Sequence, residues 1–575
     1  MNLRNRPRGP WVYVAVTAVL AAVVAAWAVP ELREHGWLVF GQSSSGPGAP
    51  LPSLSPDLFL FPQAAQIILL AVGIGVLVQI YSTAYLGHHP RYRSYALIIV
   101  LFLVAMIAVV GTTNLWVLLV GWEVMGVCSY LLIGHEWQTA EARSGAAKAF
   151  LVTRVADLGL VMAIIVIGAT YGTYDINGAQ AGALQDPKNG TLIGLLVLLA
   201  VVGKSAQFPL HSWLPDAMPG PTPITALIHA ATMVAAGVYL AARLFPLYAD
   251  SEVVLTSMAV IAAITMLMGA LFALAQTDLK RALAWSTVSQ LALMFAAVSV
   301  GLAESGLDHL VAHGVFKALL FLGCGCLMHA VGSSSLSAMG GLRRAMPVTF
   351  WTMTIGFAAL AGVVPTVGFF TKDSVLAAID FATEVENGPL PNGMAWVLLV
   401  VALLTTFVTA AYATRLWLLA FFGPVREARD AHEAPRTMTG PLIVLAVATF
   451  ALSIGKHLDA RIGVISTIVA ALGIGAVVAL WRRGSALGPA PAPLVSELGL
   501  DRPFSRWIPA VVTSLSRLVV DLDRDAVDVY PRGGASLVGL ASNGLQMAQS
   551  RNVQRYATAI ALGVVVLVVI GVVAT

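Results

Sequence analysis

The feature that most constrains this chain is a series of long apolar runs that recur from its first residues to its last. A run of about 20 apolar residues is long enough to cross a bilayer as a helix. Backbone groups in the bilayer core must bond within the segment, so each run is expected to be helical. Only 11% of the residues are charged, against about 25% in a soluble domain. The sequence therefore predicts an all-α polytopic membrane protein.

Hydropathy predicts about 15 transmembrane helices. The predicted spans are residues 11–29, 60–83, 93–110, 114–134, 147–169, 191–213, 223–245, 254–275, 279–300, 307–331, 348–386, 394–422, 438–455, 462–481 and 557–574. A Gly/Ser/Pro-rich loop follows the first span, which begins with basic residues but lacks the small-residue cleavage site of a signal peptide.

The loops between these spans alternate in charge. One set carries basic pairs and the other is nearly neutral or acidic, which by the positive-inside rule predicts a cytoplasmic N-terminus. The basic set comprises Arg91 with Arg93, Lys280 with Arg281, Arg343 with Arg344, Arg426 with Arg429, and Arg482 with Arg483. The opposite set comprises YGTYDINGAQ with Asp175, Asp250 with Glu252, and Glu384 with Glu386.

One stretch, GKSAQFPLHSWLPDAMPGPTPITALIHAATM at residues 203–233, holds a lysine, a cluster of prolines and a histidine. A helix cannot continue through that many prolines, because each removes a donor and clashes with the preceding turn. We expect a broken helix and a polar connection, with Lys204 on one side and His229 on the other. A second break is predicted at Pro365 in GVVPTVGFFTKDSV, close to Lys372 and Asp373.

Ionisable side chains inside spans mark ion pathways or paired structural contacts. This chain places several there: Glu123, Arg154, Asp157, Lys204, His229, His309, His313, Lys317, Lys372 and Asp373. His309, His313 and Lys317 follow at i, i+4 and i+8, so they share one stripe of a helix. For Arg154 and Asp157, the alternative is a purely structural salt bridge between the two side chains. For His309, the alternative is a core histidine whose hydrogen bonds are made within the protein.

Proton handling fits this set best. Burial lets a lysine release its proton, a nearby acid lets it hold one, and histidines pass protons between them. Broken helices in two halves of a chain are typical of transport sites near the midplane. No cage of carboxylates suited to a hard metal cation is evident. We see no phosphate-binding loop, dinucleotide fingerprint or iron–sulfur pattern, and the net charge of +4 does not favour nucleic acid.

Two further features concern packing and the C-terminal region. Cys128, Cys324 and Cys326 lack metal-ligand spacing and are interpreted as buried packing residues. From Phe504 to about Gln554, apolar residues recur at helical spacing opposite a charged face, which predicts a helix lying along a membrane surface or neighbouring subunits. The alternative is an amphipathic linker with no specific binding role. Pro531-Arg-Gly-Gly is expected to interrupt this helix.

Long motifs around these residues resemble the antiporter-like membrane subunits of respiratory complex I and their relatives, especially the large distal subunit. They cover about residues 85 to 425 and include GWEVMGVCSYLLIG, KAFLVTRVADLG, GKSAQFPLHSWLPDAMPGPTPITALIHAATMVAAGVYL, QTDLKRALAWSTVSQL, HLVAHGVFKALLFL, GGLRRAMP and GFFTKD. The resemblance implies two inverted repeats. It divides the chain into five regions: the N-terminal spans with their loop (residues 1–84), the first antiporter-like half (85–250), the second antiporter-like half (251–425), additional spans (426–485), and a lateral helix with its anchor (486–575).

By this resemblance, Glu123 and Lys204 would pair in the first half-channel, with Asp157 as a modulating acid. His229 would continue the axis. His309, His313 and Lys317 would relay protons in the second half, and Lys372 would be the exit lysine with Asp373 beside it. No cofactor is expected on this chain. NADH, FMN, iron–sulfur clusters and quinone would belong to partner subunits of a bacterial plasma-membrane complex.

The resemblance has departures and alternatives. The family's largest members usually have about 16 spans, and we expect this chain to lack the first of them, which agrees with a cytoplasmic N-terminus. SPDLFLFPQAAQ also departs from the family's sequence before the second span. An Mrp-type cation/proton antiporter, or the membrane arm of a hydrogenase or inorganic-carbon uptake complex, would use the same modules. A purely structural role would leave the intramembrane charges unexplained.

Overall fold

The computed structural model describes most of the chain and bears out the all-α prediction. It describes residues 9–34, 61–230, 232–385, 388–424, 431–456, 459–484, 494, 497–500, 508–549 and 552–574. The predicted Gly/Ser/Pro-rich loop, Glu386, Arg426 and Arg429 lie outside these residues. The described residues form two compact units, residues 1–499 and 500–575.

Helices make up nearly all of the first unit. In chain order they are α1 (Pro10–Glu34), α2 (Phe61–Tyr85), α3 (Tyr92–Gly111), α4 (Leu115–Ile133), α5 (Ala140–Tyr171), α6 (Ile176–Gln185), α7 (Gly190–Lys204), α8 (Trp213–Asp216), α9 (Thr222–Ala230), α10 (Met233–Leu244), α11 (Glu252–Ala275), α12 (Leu279–Ser299), α13 (Ala303–Val331), α14 (Pro347–Ala361), α15 (Val367–Glu384), α16 (Asn392–Phe421), α17 (Arg436–Ala451) and α18 (Ala460–Arg482). Eleven helices in the described part of the whole chain are long and apolar enough to cross a membrane, with shorter apolar helices beside them.

Each predicted span contains one helix or a broken pair of helices, but the span predicted at 191–213 is too long, because α7 ends at Lys204. The starts of several helices are set by polar side chains that accept bonds from otherwise unpaired N–H groups. Asn114 caps α4, Thr139 caps α5 and Asp278 caps α12 in this way. The connection that begins with YGTYDINGAQ lies between two spans, as predicted, and contains the short helix α6, whose first turn is capped by Asp175.

Two breaks shape the interior of the first unit. α7 ends at Lys204, and the chain then runs through residues 205–221, here called the elbow, before α9 begins. α14 ends at Ala361, and α15 begins at Val367 beyond Pro365. The structure also interrupts the next predicted span, since α9 ends at Ala230 and α10 begins at Met233.

The connections on either side of α4 and of α12 are built alike. Leu115 donates its backbone N–H to the Tyr174 carbonyl at 2.9 Å, and Leu279 donates to the Ser334 carbonyl at 2.9 Å. Likewise, a buried arginine bonds the carbonyl end of a helix in each region: Arg243 binds the α3 end, and Arg415 binds Gln276 beyond α11. These correspondences support, as a proposal, the division into halves at residues 85–250 and 251–425.

The core of the first unit lies around α12 and α13. Every side chain of α12 except the partly exposed Arg281 is buried, and α13 is buried along most of its length. A helix that is shielded on all sides can carry polar groups at any position, provided they find partners or water. This is where the predicted histidine stripe is found.

The second unit contains three helices: α19 (Ile508–Leu522), α20 (Val529–Ala548) and α21 (Val553–Ala574). Its helices bear out the predicted amphipathic segment and final span, although Phe504 and Trp507 lie outside the described residues. The predicted break at Pro531 was wrong. A π-helical turn at Asp523–Val527 interrupts the segment instead, and Pro531 sits in the first turn of α20, where proline is tolerated.

Candidate functional site

Lys204 lies at the end of α7 and is completely buried. Its ammonium Nζ donates to the Asp157 carboxylate Oδ2 at 3.2 Å and to the Trp122 carbonyl at 3.4 Å. The same Nζ stands 4.7 Å from the centre of a Trp122 ring, a cation–π contact. The indole N–H of Trp122 in turn donates to Asp157 Oδ1 at 2.5 Å. The lysine is therefore held by an acid, a carbonyl and an aromatic face.

Glu123 has a different partner from the one the resemblance implies. Its carboxylate forms an ion pair with Arg154, and both side chains are partly exposed, at 27% and 32%. The reason lies on α5, where Arg154 and Asp157 stand one turn apart on the helix. Arg154 pairs with the acid of α4, whereas Asp157 pairs with Lys204 of α7 and also accepts from Trp122 of α4, so Lys204 has the acid of α5 as its partner and not the acid of α4. The alternative of an Arg154–Asp157 bridge is not the arrangement seen.

The elbow after Lys204 is fixed by buried side chains. The Trp213 indole donates to the Gly203 carbonyl at 2.9 Å, which satisfies a carbonyl at the end of α7. Lys280, at the start of α12, donates to the carbonyls of Met218 and Gly220 at 2.7 and 2.8 Å. The sequence placed Lys280 in a basic loop, but it is buried and belongs to the charged interior.

His229 is the next ionisable group along the chain and lies at the end of α9. It is completely buried, and neither ring nitrogen has a hydrogen-bond partner among the described residues. Its ring lies 4.7 Å from that of Phe321 on α13. Phe321 stands one turn beyond Lys317, so His229 faces the same part of α13 as the predicted stripe.

The stripe on α13 has the geometry that its spacing predicts. His309, His313 and Lys317 are completely buried. His309 is fixed at both nitrogens, by the Thr371 hydroxyl at 2.9 Å and the Gln290 amide oxygen at 3.2 Å. The His313 ring lies 6.3 Å from that of His309, and neither of its nitrogens has a protein partner among the described residues.

Lys317 ends the stripe, and its ammonium donates to the Leu283 carbonyl of α12 at 3.1 Å. His309 of this stripe bonds Thr371 of α15, and the His229 ring of α9 lies against Phe321, one turn beyond Lys317. The structure thus gathers ionisable residues from α9, α13 and α15 along one stretch of α13.

Lys372 lies close to the second break, as predicted. Its ammonium donates to the Leu360 carbonyl at 2.8 Å, one of the last carbonyls of α14, and the neighbouring Thr371 holds His309. Lys204 precedes its break and Lys372 follows its own, so the two lysines lie on opposite sides of their breaks. Asp373 points elsewhere: its carboxylate accepts from Ser466 of α18 at 3.2 Å.

Sequence reasoning missed Gln290 and Thr371, which orient His309. Each is a polar residue inside an apolar span, but such residues occur in many spans, so this pattern alone does not identify a site residue. It also placed Arg281 in a loop, whereas its guanidinium bonds Asp216 of the elbow at 2.8 Å. The three cysteines are free and buried, in agreement with a packing role. Within the described residues, no group of three or more His, Cys, Asp or Glu side chains is placed to hold a metal ion.

Comparison with known proteins gives consistent relatives. A family profile described as "NADH:quinone oxidoreductase/Mrp antiporter, TM" matches residues 112–386. The chain is 38% identical to NADH-quinone oxidoreductase subunit L of Mycobacterium tuberculosis over 534 residues, 87% of this chain and 83% of the relative. It is 36% identical to NAD(P)H-quinone oxidoreductase chain 5 of Synechocystis sp. over 440 residues, 67% of this chain and 63% of that protein.

A solved structure of the Mrp complex from Dietzia sp. DQ12-45-1b is also similar, with a TM-score of 0.69 and 26% identity. The match covers 98% of this chain and 63% of that one. The similarity to the M. tuberculosis protein extends over most of both chains at an identity that marks common descent. The chain therefore belongs to the family of NADH-quinone oxidoreductase subunit L.

Proposed function

We propose that this chain is a proton-translocating membrane subunit of an NADH:quinone oxidoreductase. The observation that carries the proposal is the set of buried ionisable side chains that runs through the first unit. Lys204 with Asp157, His229, the α13 stripe and Lys372 are all shielded from solvent. Charged groups are costly in such surroundings, and proton relays are a main reason for keeping them.

The arrangement favours protons moving in steps. Lys204 has an acid, a carbonyl and a ring that together stabilise its charged form. Lys317 and Lys372 have carbonyl partners. Because their surroundings differ, Lys204 binds a proton with a different affinity from Lys317 and Lys372. A change of charge at one lysine therefore favours proton transfer to or from the next. The histidines between them accept and donate at two nitrogens.

Energy for this movement has to come from other chains. Moving one proton against 100 mV costs about 2.3 kcal/mol. We propose that NADH, FMN, iron–sulfur clusters and quinone are held by a peripheral redox arm, and that this chain carries no redox site of its own. Sister antiporter-like subunits would lie beside it in a bacterial plasma membrane. The proposed orientation places the N-terminus in the cytoplasm, as the loop charges predict.

The test uses the assembled complex in sealed vesicles. We expect Lys317→Gln to lower the number of protons moved per electron while the complex assembles, because the substitution removes a buried titratable group. Lys188→Gln is the matched control, since Lys188 forms an exposed ion pair in which both side chains are 64% exposed. Undiminished pumping by assembled Lys317→Gln complexes would contradict the proposed role.

A second candidate is a subunit of an Mrp-type cation/proton antiporter, favoured by the likeness to the Mrp complex over 98% of this chain. The two functions differ in their energy source. Sodium-dependent proton flux in vesicles that contain the assembly but no electron donor would favour the antiporter. Proton movement that requires NADH oxidation would favour the oxidoreductase.

A further inference from the structure

A charged side chain is buried at the point where the first unit ends. Glu497 is buried, whereas its neighbour Leu498 is 58% exposed, the reverse of what the two side chains prefer. The backbone at both residues is left-handed, with φ of 55° and 54°. This conformation is unfavourable for residues that carry a Cβ and persists where surrounding contacts hold it. The contacts of the Glu497 carboxylate are the candidates for that role.

One oxygen of Glu497 binds two residues of α12. Its Oε1 accepts from Arg281 at 3.0 Å from Nε and 2.5 Å from Nη2, and from the Trp285 indole N–H at 2.9 Å. Arg281 and Trp285 stand one turn apart on α12, so they form a single face to which the carboxylate binds. Bonds from a guanidinium to a carboxylate are among the stronger hydrogen bonds in proteins.

Both residues that Glu497 binds also contact the elbow. Arg281 uses its other terminal nitrogen, Nη1, to bond Asp216 at 2.8 Å. The Trp285 ring lies 5.6 Å from the ring of His211, which belongs to the elbow. Glu497 therefore supports the elbow at two places through α12, on the chain segment that follows Lys204.

The network extends one step further, to α5. Lys148 donates to the second oxygen of Asp216 at 2.6 Å, so opposite charges alternate from Lys148 through Asp216 and Arg281 to Glu497. Burial raises the pKa of the Asp216 carboxyl, but the two cations outweigh it and hold the pKa below its usual value. Asp216 is thus a charged link between both proposed halves, and Glu497 balances the second cation.

We infer that Glu497 is a positioning residue for proton translocation, which holds the elbow in place through Arg281 and Trp285. The inference rests on the proposed function, because the elbow continues directly from Lys204. Nothing in the apolar spacing of the sequence distinguishes Glu497 from other loop acids. Its role follows from where its carboxylate is placed.

The experiment compares Glu497→Gln and Glu497→Asp in the full complex. Glutamine keeps the size of the side chain and removes its charge, whereas aspartate keeps the charge on a shorter side chain. Glu384→Gln is the matched control, because Glu384 pairs with Arg461 at an exposed position. Two quantities are measured in assembled complexes: amide hydrogen exchange in peptides covering the elbow, and protons moved per electron.

For Glu497→Gln we expect roughly tenfold faster exchange in the elbow, as loss of a charge-assisted bond would produce, with unchanged exchange in α16 and a lower proton-to-electron ratio. Glu497→Asp should recover part of both losses, and Glu384→Gln should match the wild type. Wild-type exchange in the elbow of Glu497→Gln would overturn the inference. Equal acceleration in the elbow and in α16 would also overturn it, because it would show general loosening.

Two arrangements keep the test decisive. If Glu497→Gln fails to assemble, Trp285→Phe removes one of the bonds to Glu497 while keeping a large ring, and a smaller acceleration confined to the elbow is expected. Unchanged exchange in that variant would overturn the inference. Hydrogen exchange does not depend on pumping, so the two proposals fail separately. If exchange in the elbow of Glu497→Gln is normal and Lys317→Gln pumps poorly, only the role of Glu497 is refuted. If Lys317→Gln pumps normally, the proposed function is refuted.

Discussion

Replacing Asp157 with asparagine tests which acid holds the charge of Lys204. The structure pairs Lys204 with Asp157, while the family resemblance implies Glu123. Asparagine has almost the same size and can still accept a bond from the Trp122 indole, so the substitution chiefly removes one negative charge. We expect Asp157→Asn to lower proton pumping strongly and Glu123→Gln to lower it much less.

The magnitude follows from burial and distance. At the observed 3.2 Å, two unit charges attract by about 5 kcal/mol with an effective dielectric constant of about 20. Removing one partner of a buried pair typically costs about 3–5 kcal/mol. A penalty of this size lowers the ratio of charged to neutral Lys204 by more than about a hundredfold. The Trp122 carbonyl and ring remain in place in the variant and do not replace the lost charge.

Glu123→Gln should have a smaller effect because its ion pair with Arg154 is more accessible to water. The side chains of Glu123 and Arg154 are 27% and 32% exposed, and ion pairs that water can reach are worth about 0–1 kcal/mol. Asp186→Asn is the matched control, since Asp186 forms an exposed pair with Lys188. The expected order of damage is therefore Asp157→Asn, then Glu123→Gln, then Asp186→Asn.

The assay is proton uptake by sealed vesicles containing the assembled complex, measured per electron delivered to quinone. Assembly is checked by co-purification of the partner subunits. A larger loss from Glu123→Gln than from Asp157→Asn, with both complexes assembled, would refute the reasoning. It would mean that Glu123 approaches Lys204 in the working cycle and that the pairing seen here is not the one that governs proton affinity.

Three further predictions follow from single contacts. Gly368→Ala would place a Cβ 2.1 Å from the Ala359 carbonyl oxygen, forcing α14 and α15 apart and lowering stability by about 1–3 kcal/mol or more, seen as a lower unfolding temperature. Glu433→Gln weakens the acceptor that binds the first N–H groups of α14, and should cost about 1 kcal/mol in the same measurement. Thr371→Val removes the hydroxyl that binds His309 at 2.9 Å, and should lower protons moved per electron with little loss of stability.

Matched variants separate these effects from general disturbance. Gly475→Ala adds a Cβ with nothing within 4 Å and should leave the unfolding temperature unchanged or higher. Thr414→Val removes a hydroxyl that bonds Ala410 of its own helix, and should leave pumping unchanged. A stable Gly368→Ala, a Glu433→Gln that melts like the wild type, or a fully active Thr371→Val would each contradict the contact on which it rests.

Much of the fold could be read from the sequence because the bilayer imposes a simple rule. A long apolar segment has to close its own hydrogen bonds, so the apolar runs predicted the helices. The prolines after Lys204 and at Pro365 predicted the breaks, since proline removes a donor wherever it stands. Pro531 was misread because proline in the first turn of a helix interrupts nothing, a fact that depends on where the helix begins.

The sequence by itself determined that His309, His313 and Lys317 share a helix stripe and that charges are buried in this membrane protein, because periodicity and hydropathy are local properties. Only the tertiary structure decided which charges meet. Asp157 rather than Glu123 binds Lys204 because α5 packs against both α4 and α7, with Asp157 placed to reach Lys204 and Arg154 placed to pair with Glu123. Lys280 and Glu497 are buried for the same reason, because distant parts of the chain supply their partners. Carbonyl groups of the elbow bind Lys280, and the guanidinium of Arg281 binds Glu497. Side-chain pairing across helices depends on their packing, and no local pattern encodes it.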